Sequence, residues 1–483
     1  MSAPSSPGPK SQLRRVMGFW DVLLFNVAAV LGPRWVAAAA HNGPSSIVLW
    51  MIAALGFFLP TALVVIELSS RFPEEGGLYA WARDAFGDFH GFVAGWTYWI
   101  YSVFYFPALL VASTAMSAYV VGARGAELAE NRTFLLTGSF ILLGVAVVLN
   151  IVGLNIGKWL QNAGGVGTYL PMVILVLVAF VVWLRHGSAA QFTWSTLAPH
   201  WNWDTVNFWP QLAFAFTGLE MAAFMSEEIH DPHRTIPRAT FASGFSIAAM
   251  YIVATVGVLI LIPAAQVDPK SGMFQAITSG SGLLRVGILG VLAALLVTVG
   301  NAGGVGTTVA GTARVPFAVG IDSYLPPIFA ELHPRWKTPY VAILVQAGFS
   351  AIVLLLTQIN QSVNGAYQIL VDATTAIYFI PLMYMYAAAI KLAYRKDRKT
   401  NPHAVLIPGG KAGVWLAGSL GFLVVLAGIV LSFIPPGEAT NKWLFEIELT
   451  ACIVISVAFG LILYMRGARA KARQQASASV GIR

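Results

Sequence analysis

The sequence predicts an all-α integral membrane protein with twelve transmembrane helices, and three observations carry that expectation. Hydrophobic residues make up 57% of the 483 and charged residues only 10%, where a soluble domain carries about 25% charged residues. The mean hydropathy is +0.72. The apolar residues fall in runs long enough to cross a bilayer, which takes about 20 residues as a helix, and helices satisfy their own backbone groups in lipid. The net charge of +8 does not point to nucleic acid, because it is concentrated in loops on one side of the membrane.

Taken in order, the runs lie at about 17–41, 45–70, 91–121, 133–153, 162–184, 205–228, 239–263, 284–319, 338–357, 364–392, 412–434 and 444–466. Twelve crossings put both ends on one side, and cytoplasmic loops carry the excess of lysine and arginine. With the N-terminus inside, six of the 29 fall at outer positions: Arg124, Arg132, Arg185, Lys270, Arg285 and Lys442. Arg34 lies within a span, and the other 22 lie in tails and inner loops. Lys391, Arg395, Lys396, Arg398 and Lys399 contribute most to that bias. The expectation is a multi-pass protein of the inner (plasma) membrane, in contact with lipid, with both termini cytoplasmic. The first fifteen residues are polar and the helix after them is too long for a signal-peptide core, so no cleavable signal is expected. Cys452, the single cysteine, has no partner for an internal disulfide.

Arg34 is the one charge between Val22 and Ala40, and it follows Gly32 and Pro33 directly. A charge at that depth costs at least ~2.5 kcal/mol on insertion scales, so it faces protein or a water-filled cavity. Proline removes an N–H and glycine relaxes the backbone, so the pair marks a break in the helix. Irregular backbone survives at membrane depth only where it is buried or lines a cavity. The plainer alternative is a kinked helix with Arg34 tied to a carboxylate for structure alone. The sixth run repeats the pattern with Phe214-Ala215-Phe216-Thr217-Gly218-Leu219-Glu220. Interrupted helices at matching places in two halves indicate inverted repeats with a binding site between them at mid-membrane. The repeats would be 17–184 and 205–392, followed by two extra helices at 412–466 and flanked by tails at 1–16 and 467–483. Two six-helix halves joined by a long central loop are the competing architecture, and the short connection 229–238 argues against them.

Several stretches resemble the amino acid–polyamine–organocation superfamily of secondary transporters. Phe19-Trp20-Asp21 leading to Gly32 is similar to its first helix. Glu67-Leu68-Ser69-Ser70-Arg71-Phe72-Pro73-Glu74-Glu75-Gly76-Gly77-Leu78-Tyr79-Ala80-Trp81 is similar to its loop after the second helix. Phe216-Thr217-Gly218-Leu219-Glu220 and Glu227-Glu228-Ile229-His230-Asp231-Pro232-His233-Arg234-Thr235-Ile236-Pro237-Arg238-Ala239 fit its sixth-helix region. Arg314, Tyr324-Leu325-Pro326 and His333-Pro334-Arg335-Trp336-Lys337-Thr338-Pro339 fit the stretch after its eighth helix. The resemblance implies a LeuT-type fold of five plus five helices with two more. It also implies uptake or exchange of amino acids, related carboxylates or amines, with some features similar to the glutamate/GABA exchanger branch. Members usually carry a small, glycine-rich run where this chain reads Gly32-Pro33-Arg34-Trp35-Val36, and N–H groups there cradle a substrate carboxylate. Pro33 has no N–H and Arg34 adds a bulky cation. Arg34 would either bind a carboxylate bidentately or pair with Glu220 as a gate.

By resemblance, the substrate-binding candidates are Gly32, Pro33, Arg34, Tyr98, Phe214, Phe216, Thr217, Gly218 and Asn301. Glu220, Asp372 and Thr168 are the coupling and gating candidates. Glu220 matches a glutamate tied to proton handling. Asp372 is a second candidate partner for Arg34, against a reading as a buried hydrogen-bonded acid. Glu67 reads as structural. Thr168 stands where some proton-coupled relatives place a lysine, and with Thr307 and Thr308 it opens the alternative of sodium coupling. The bland reading of the aromatic residues is packing, and that of the hydroxyls is bonding to their own helix. The pairs Gly164-Gly165 and Gly303-Gly304 read as close helix packing. No Walker-type loop or His/Cys cluster of metal spacing occurs, so neither an enzyme nor a cofactor is expected. Sequons stand at Asn131 and Asn360. The competing classes are a non-transporting sensor or partner subunit of the same fold, and a sodium-coupled or cationic-amine transporter.

Overall fold

The computed structural model describes residues 13–74, 76–199, 203–269, 271–356, 363–396, 402, 404–434 and 442–480. Among them the chain is helical throughout, apart from loops and one parallel bridge between Met17 and Ile229. Lys270, Asn360, Arg398, Lys399 and Glu75 lie outside the described residues.

Among the described residues, ten helical stretches are long and apolar enough to cross a membrane: Phe19–His41, Ser45–Arg71, Asp88–Val121, Arg132–Val152, Gly157–His186, Pro232–Leu261, Ile288–Gly320, Leu370–Leu392, Gly410–Ser432 and Lys442–Arg473. That count differs from the twelve expected, for two local reasons. The run at 205–228 is divided into a helix Trp203–Ala215 and a 3-10 helix Leu219–Glu228. The run at 338–357 contains the apolar helix Tyr340–Leu356, of 17 residues. Several helices also outrun their apolar cores, because ladder hydrogen bonds do not stop where lipid would. One starts at Pro232, a favoured first helical position, and the last runs from Lys442 to Val480.

The helices that carry the site are α1 (Phe19–Val30), α2 (Pro33–His41), α3 (Asp88–Ser117), α4 (Leu154–His186), α5 (Trp203–Ala215), α6 (Pro232–Leu261), α7 (Ile288–Ile321) and α8 (Val363–Leu392). Helices α4 and α7 pack against each other at Gly164 and Gly303, while the second glycine of each pair, Gly165 and Gly304, faces α1. A Cβ on Gly303 would lie 2.1 Å from Gly164 Cα, closer than any side chain allows. The motif after the second span also has a spatial reason. Gly77 has φ +42°, and a Cβ there would sit 3.1 Å from the backbone of Ala223 and Phe224. The loop is thereby laid against the 3-10 helix.

Two buried ion pairs brace the same end of the molecule. Arg314 Nε and Nη2 donate to Glu228 Oε2 and Oε1 at 2.8 and 3.1 Å, a fork-to-fork pair. Arg71 Nη1 donates to Glu67 Oε1 at 3.1 Å, while the Ile407 N–H donates to Glu67 Oε2 at 3.0 Å. Glu67 is thus structural, as its sequence reads. Beside Glu228 the chain start is also tied down: the Val16 and Met17 N–H groups donate to Glu228 O at 2.8 and 3.1 Å, and the His230 N–H donates to Met17 O at 2.9 Å.

Candidate functional site

Two helix breaks meet inside the bundle. α1 ends at Val30, Leu31 and Gly32 are extended, and α2 begins with Pro33 at its first position. Proline therefore starts the second half rather than merely interrupting the first, since its fixed φ suits that position. α5 ends at Ala215, and Gly218 turns left-handed at φ +116° before the 3-10 helix. A Cβ at Gly218 would lie 3.3 Å from Val30 Cγ2 and 3.5 Å from Ala29 O. The second break therefore touches the first.

A helix break frees backbone groups that lipid cannot satisfy. Here one side chain takes up three of them. The Tyr251 hydroxyl on α6 accepts from the Gly32 N–H at 3.0 Å and lies 2.6 Å from Val30 O and 3.1 Å from Ala215 O as their donor. Its ring stacks on Trp50 with centroids 4.5 Å apart, and meets Phe216 edge-on at 5.3 Å. Phe216 in turn stacks on Phe58 at 4.5 Å.

Arg34 is buried at 7% exposure. Its Nη2 donates to the Tyr105 hydroxyl at 3.1 Å, and its guanidinium carbon lies 4.4 Å from the Trp35 ring centroid and 5.4 Å from that of Tyr105. Such cation–π contacts contribute about 0.5–2 kcal/mol each. Glu220, fully buried, has different partners. Tyr98 donates to its Oε1 at 2.7 Å, Tyr378 on α8 donates to the same oxygen, and the Gly218 N–H reaches Oε2 at 3.3 Å. Of the two alternatives for Arg34, the pair with Glu220 is therefore not made; two tyrosines from α3 and α8 hold that carboxylate instead.

Two cavities flank the first break. One of about 40 Å³ is lined by 28–35 with α3, α4 and α7, including Arg34, Thr168, Asn301 and Thr308. The other, about 20 Å³, lies between the two breaks and α3, against Phe214, Thr217 and Met221. Both share Ala29, Val30, Trp35 and Tyr105. A single water needs at least ~10–15 Å³, so the two together have room for a few waters. Trp35 and Tyr105 thus stand as a partition between the two, and Phe214 packs on it from the smaller cavity, edge-on to Trp35 at 5.9 Å, Tyr105 at 5.8 Å and Tyr378 at 5.7 Å.

Residues 17–459 match the family model described as Amino acid permease. The chain belongs to that family. This permease is 28% identical over 455 residues to an uncharacterised transporter of Legionella pneumophila, covering 94% of this chain and 95% of the relative. It is 21% identical to a probable agmatine/putrescine antiporter of Lactococcus lactis, covering 95% and 96%. Among solved structures, the crystal structure of MhsT in complex with L-phenylalanine superposes with a TM-score of 0.64 at 13% identity, covering 87% of this chain and 99% of that one. The fold is thus LeuT-type, and the permease is a membrane transporter rather than an enzyme.

The structure sorts the candidates read from the sequence. Gly32, Pro33, Arg34, Asn301 and Thr168 line the larger cavity, and Phe214 and Thr217 the smaller. Gly218 shapes the contact between breaks. Phe216 and Tyr98 line neither cavity: Phe216 packs outward against Phe58 and Trp50, and Tyr98 is spent on Glu220. Asp372 is buried on α8 and is not part of either cavity's lining. Asn301 Nδ2 reaches Met116 Sδ at 3.4 Å, and Thr308 bonds its own helix at Gly304 O. Sequence reasoning missed Tyr251, Tyr105 and Tyr378. Each sits in an apolar run as an ordinary aromatic, with nothing local to single it out.

Proposed function

We propose that this permease carries a small amino acid or related carboxylate across the inner (plasma) membrane by alternating access, as a proton-coupled carrier or an exchanger. The observation that supports it is the meeting of two helix breaks beside paired cavities that hold one buried arginine. The substrate would enter when the Trp35–Tyr105–Phe214 partition opens and joins the two spaces. Gly32, Pro33, Arg34 and Asn301 would bind it, with Thr217 and Phe214 on the far wall. Glu220, with Tyr98 and Tyr378, would act as the gate between α3, the second break and α8, and its protonation would couple to movement. Asp372 and Thr168 would serve coupling. We read the chain as twelve spans with both termini cytoplasmic, two inverted repeats at 17–184 and 205–392, and two further helices at 412–466.

The relative named an agmatine/putrescine antiporter favours a second reading, transport of a cationic amine. Arg34 speaks against it, since a buried guanidinium repels a like charge. Uptake by proteoliposomes decides. Labelled amino acids or carboxylates are expected to accumulate, and Arg34→Ala to abolish the flux. Improved amine uptake in Arg34→Ala would support the cationic reading, and no flux of any amine, amino acid or carboxylate would leave the sensor.

A further inference from the structure

We infer that Tyr251 decides which group reads the substrate's carboxylate in this permease. The inference rests on the substrate site proposed above and adds its recognition mode. At a helix break the backbone N–H groups of the following half are the ready anion site. In this chain Gly32, Pro33 and Trp35 contribute no donor to that site. The Gly32 N–H is taken by the Tyr251 hydroxyl at 3.0 Å. Pro33 has no N–H. The Trp35 N–H is turned into the first turn of α2, donating to Gly32 O at 3.0 Å.

The hydroxyl is not free to swing away. Its ring is fully buried and stacked on Trp50 at 4.5 Å and 7°. Trp50 is itself fastened by its Nε1, which donates to Thr255 Oγ1 at 3.0 Å, one turn along from Tyr251. Its one proton is directed at Val30 O at 2.6 Å and shared with Ala215 O at 3.1 Å. Releasing Gly32 would require displacing a buried, triply engaged group.

The same cavity offers a substitute. Among the described residues that line the two cavities, Arg34 is the one with a formal charge. Its guanidinium is set in place by Tyr105 and Trp35, so its planar donors are pre-oriented. A carboxylate in this site is therefore held by the Arg34 side chain instead of the broken backbone. The substrate class that follows is a small molecule with a carboxylate, and an amine lacking one is rejected.

The test compares small carboxylic acids with their neutral amides, and amino acids with their amides, which keep the ammonium, by thermal shift of the purified full-length protein. A ligand that binds the folded state raises apparent stability with its concentration, so the acid-to-amide affinity ratio is the readout, and general destabilisation does not move it. Wild type is expected to prefer the acid at least about tenfold, or ~1.4 kcal/mol. Arg34→Gln with Tyr251 intact is expected to bring the ratio to near one. Adding Tyr251→Phe, which keeps the ring and frees the Gly32 N–H, is expected to restore a several-fold preference. A preference that survives in Arg34→Gln overturns the inference, whether or not the double variant folds. So does a folded double variant that regains none. If wild type binds neither acids nor amides, the site reading itself fails; binding with the wrong ranking sinks this inference alone.

Discussion

At the scale of single residues, the molecule turns on how buried polar groups are satisfied. Tyr251 is the clearest case, because one hydroxyl meets an N–H and two carbonyls that two broken helices leave open. Glu220 is the second, held by hydroxyls from helices 122 and 158 residues away in sequence. If its proton moves with the substrate, Glu220→Gln makes uptake independent of pH across the range where wild type responds, which flux measured against a stepped proton gradient reads directly. Unchanged pH dependence in a folded variant would remove Glu220 from coupling. Arg314 and Glu228 are a third. Both partners are buried, and removing one leaves an uncompensated charge, at a cost of about 3–5 kcal/mol. Arg314→Ala is thus expected to lower the melting temperature sharply in detergent, and a melting curve that matches wild type would contradict that.

At the scale of elements, the breaks and the glycine contacts do the shaping. α4 and α7 approach so closely at Gly164 and Gly303 that any side chain must push them apart. Gly303→Ala is expected to destabilise by about 1–3 kcal/mol through overpacking. Gly56→Ala is the matched control, since a Cβ there meets nothing within 4 Å. Thermal melting of the two variants side by side checks the claim, and equal melting points would defeat it. The helix between the second and third spans, Leu78–Phe86, is anchored similarly. Tyr79 donates to Asp322, and Arg83 Nη1 reaches the same carboxylate at 2.6 Å. Burial, then the Asp322 charge, push the Tyr79 phenol well above its usual range, so this anchor stays neutral on the tyrosine side at any physiological pH.

At the scale of the whole molecule, hydropathy gives the membrane class, and the charge asymmetry predicts an orientation. Reporter fusions at the two ends and within 229–238 are expected to report the cytoplasmic side, and fusions within 263–284 the outer side. An end found outside would reverse the 22-to-6 distribution of Lys and Arg as a guide.

Much of this was legible in the chain alone. Hydropathy runs, the Gly32-Pro33 and Gly218 breaks, the family motifs and the small-residue pairs are local properties, readable over one or two helical turns. Among the described residues ten stretches are long and apolar enough to cross a membrane, and the break before Gly218 divides one of the remaining runs. Which group answers each buried charge could not be read. Arg34 and Glu220 each stand beside a break, yet the carboxylate is held by Tyr98 and Tyr378, and Phe216 packs against Trp50 and Phe58 while Phe214 lines a cavity. The Gly32–Tyr251 contact joins residues 219 apart. Such pairings follow from how helices pack, and packing sums weak contacts over the entire bundle, so only the assembled tertiary structure decides them.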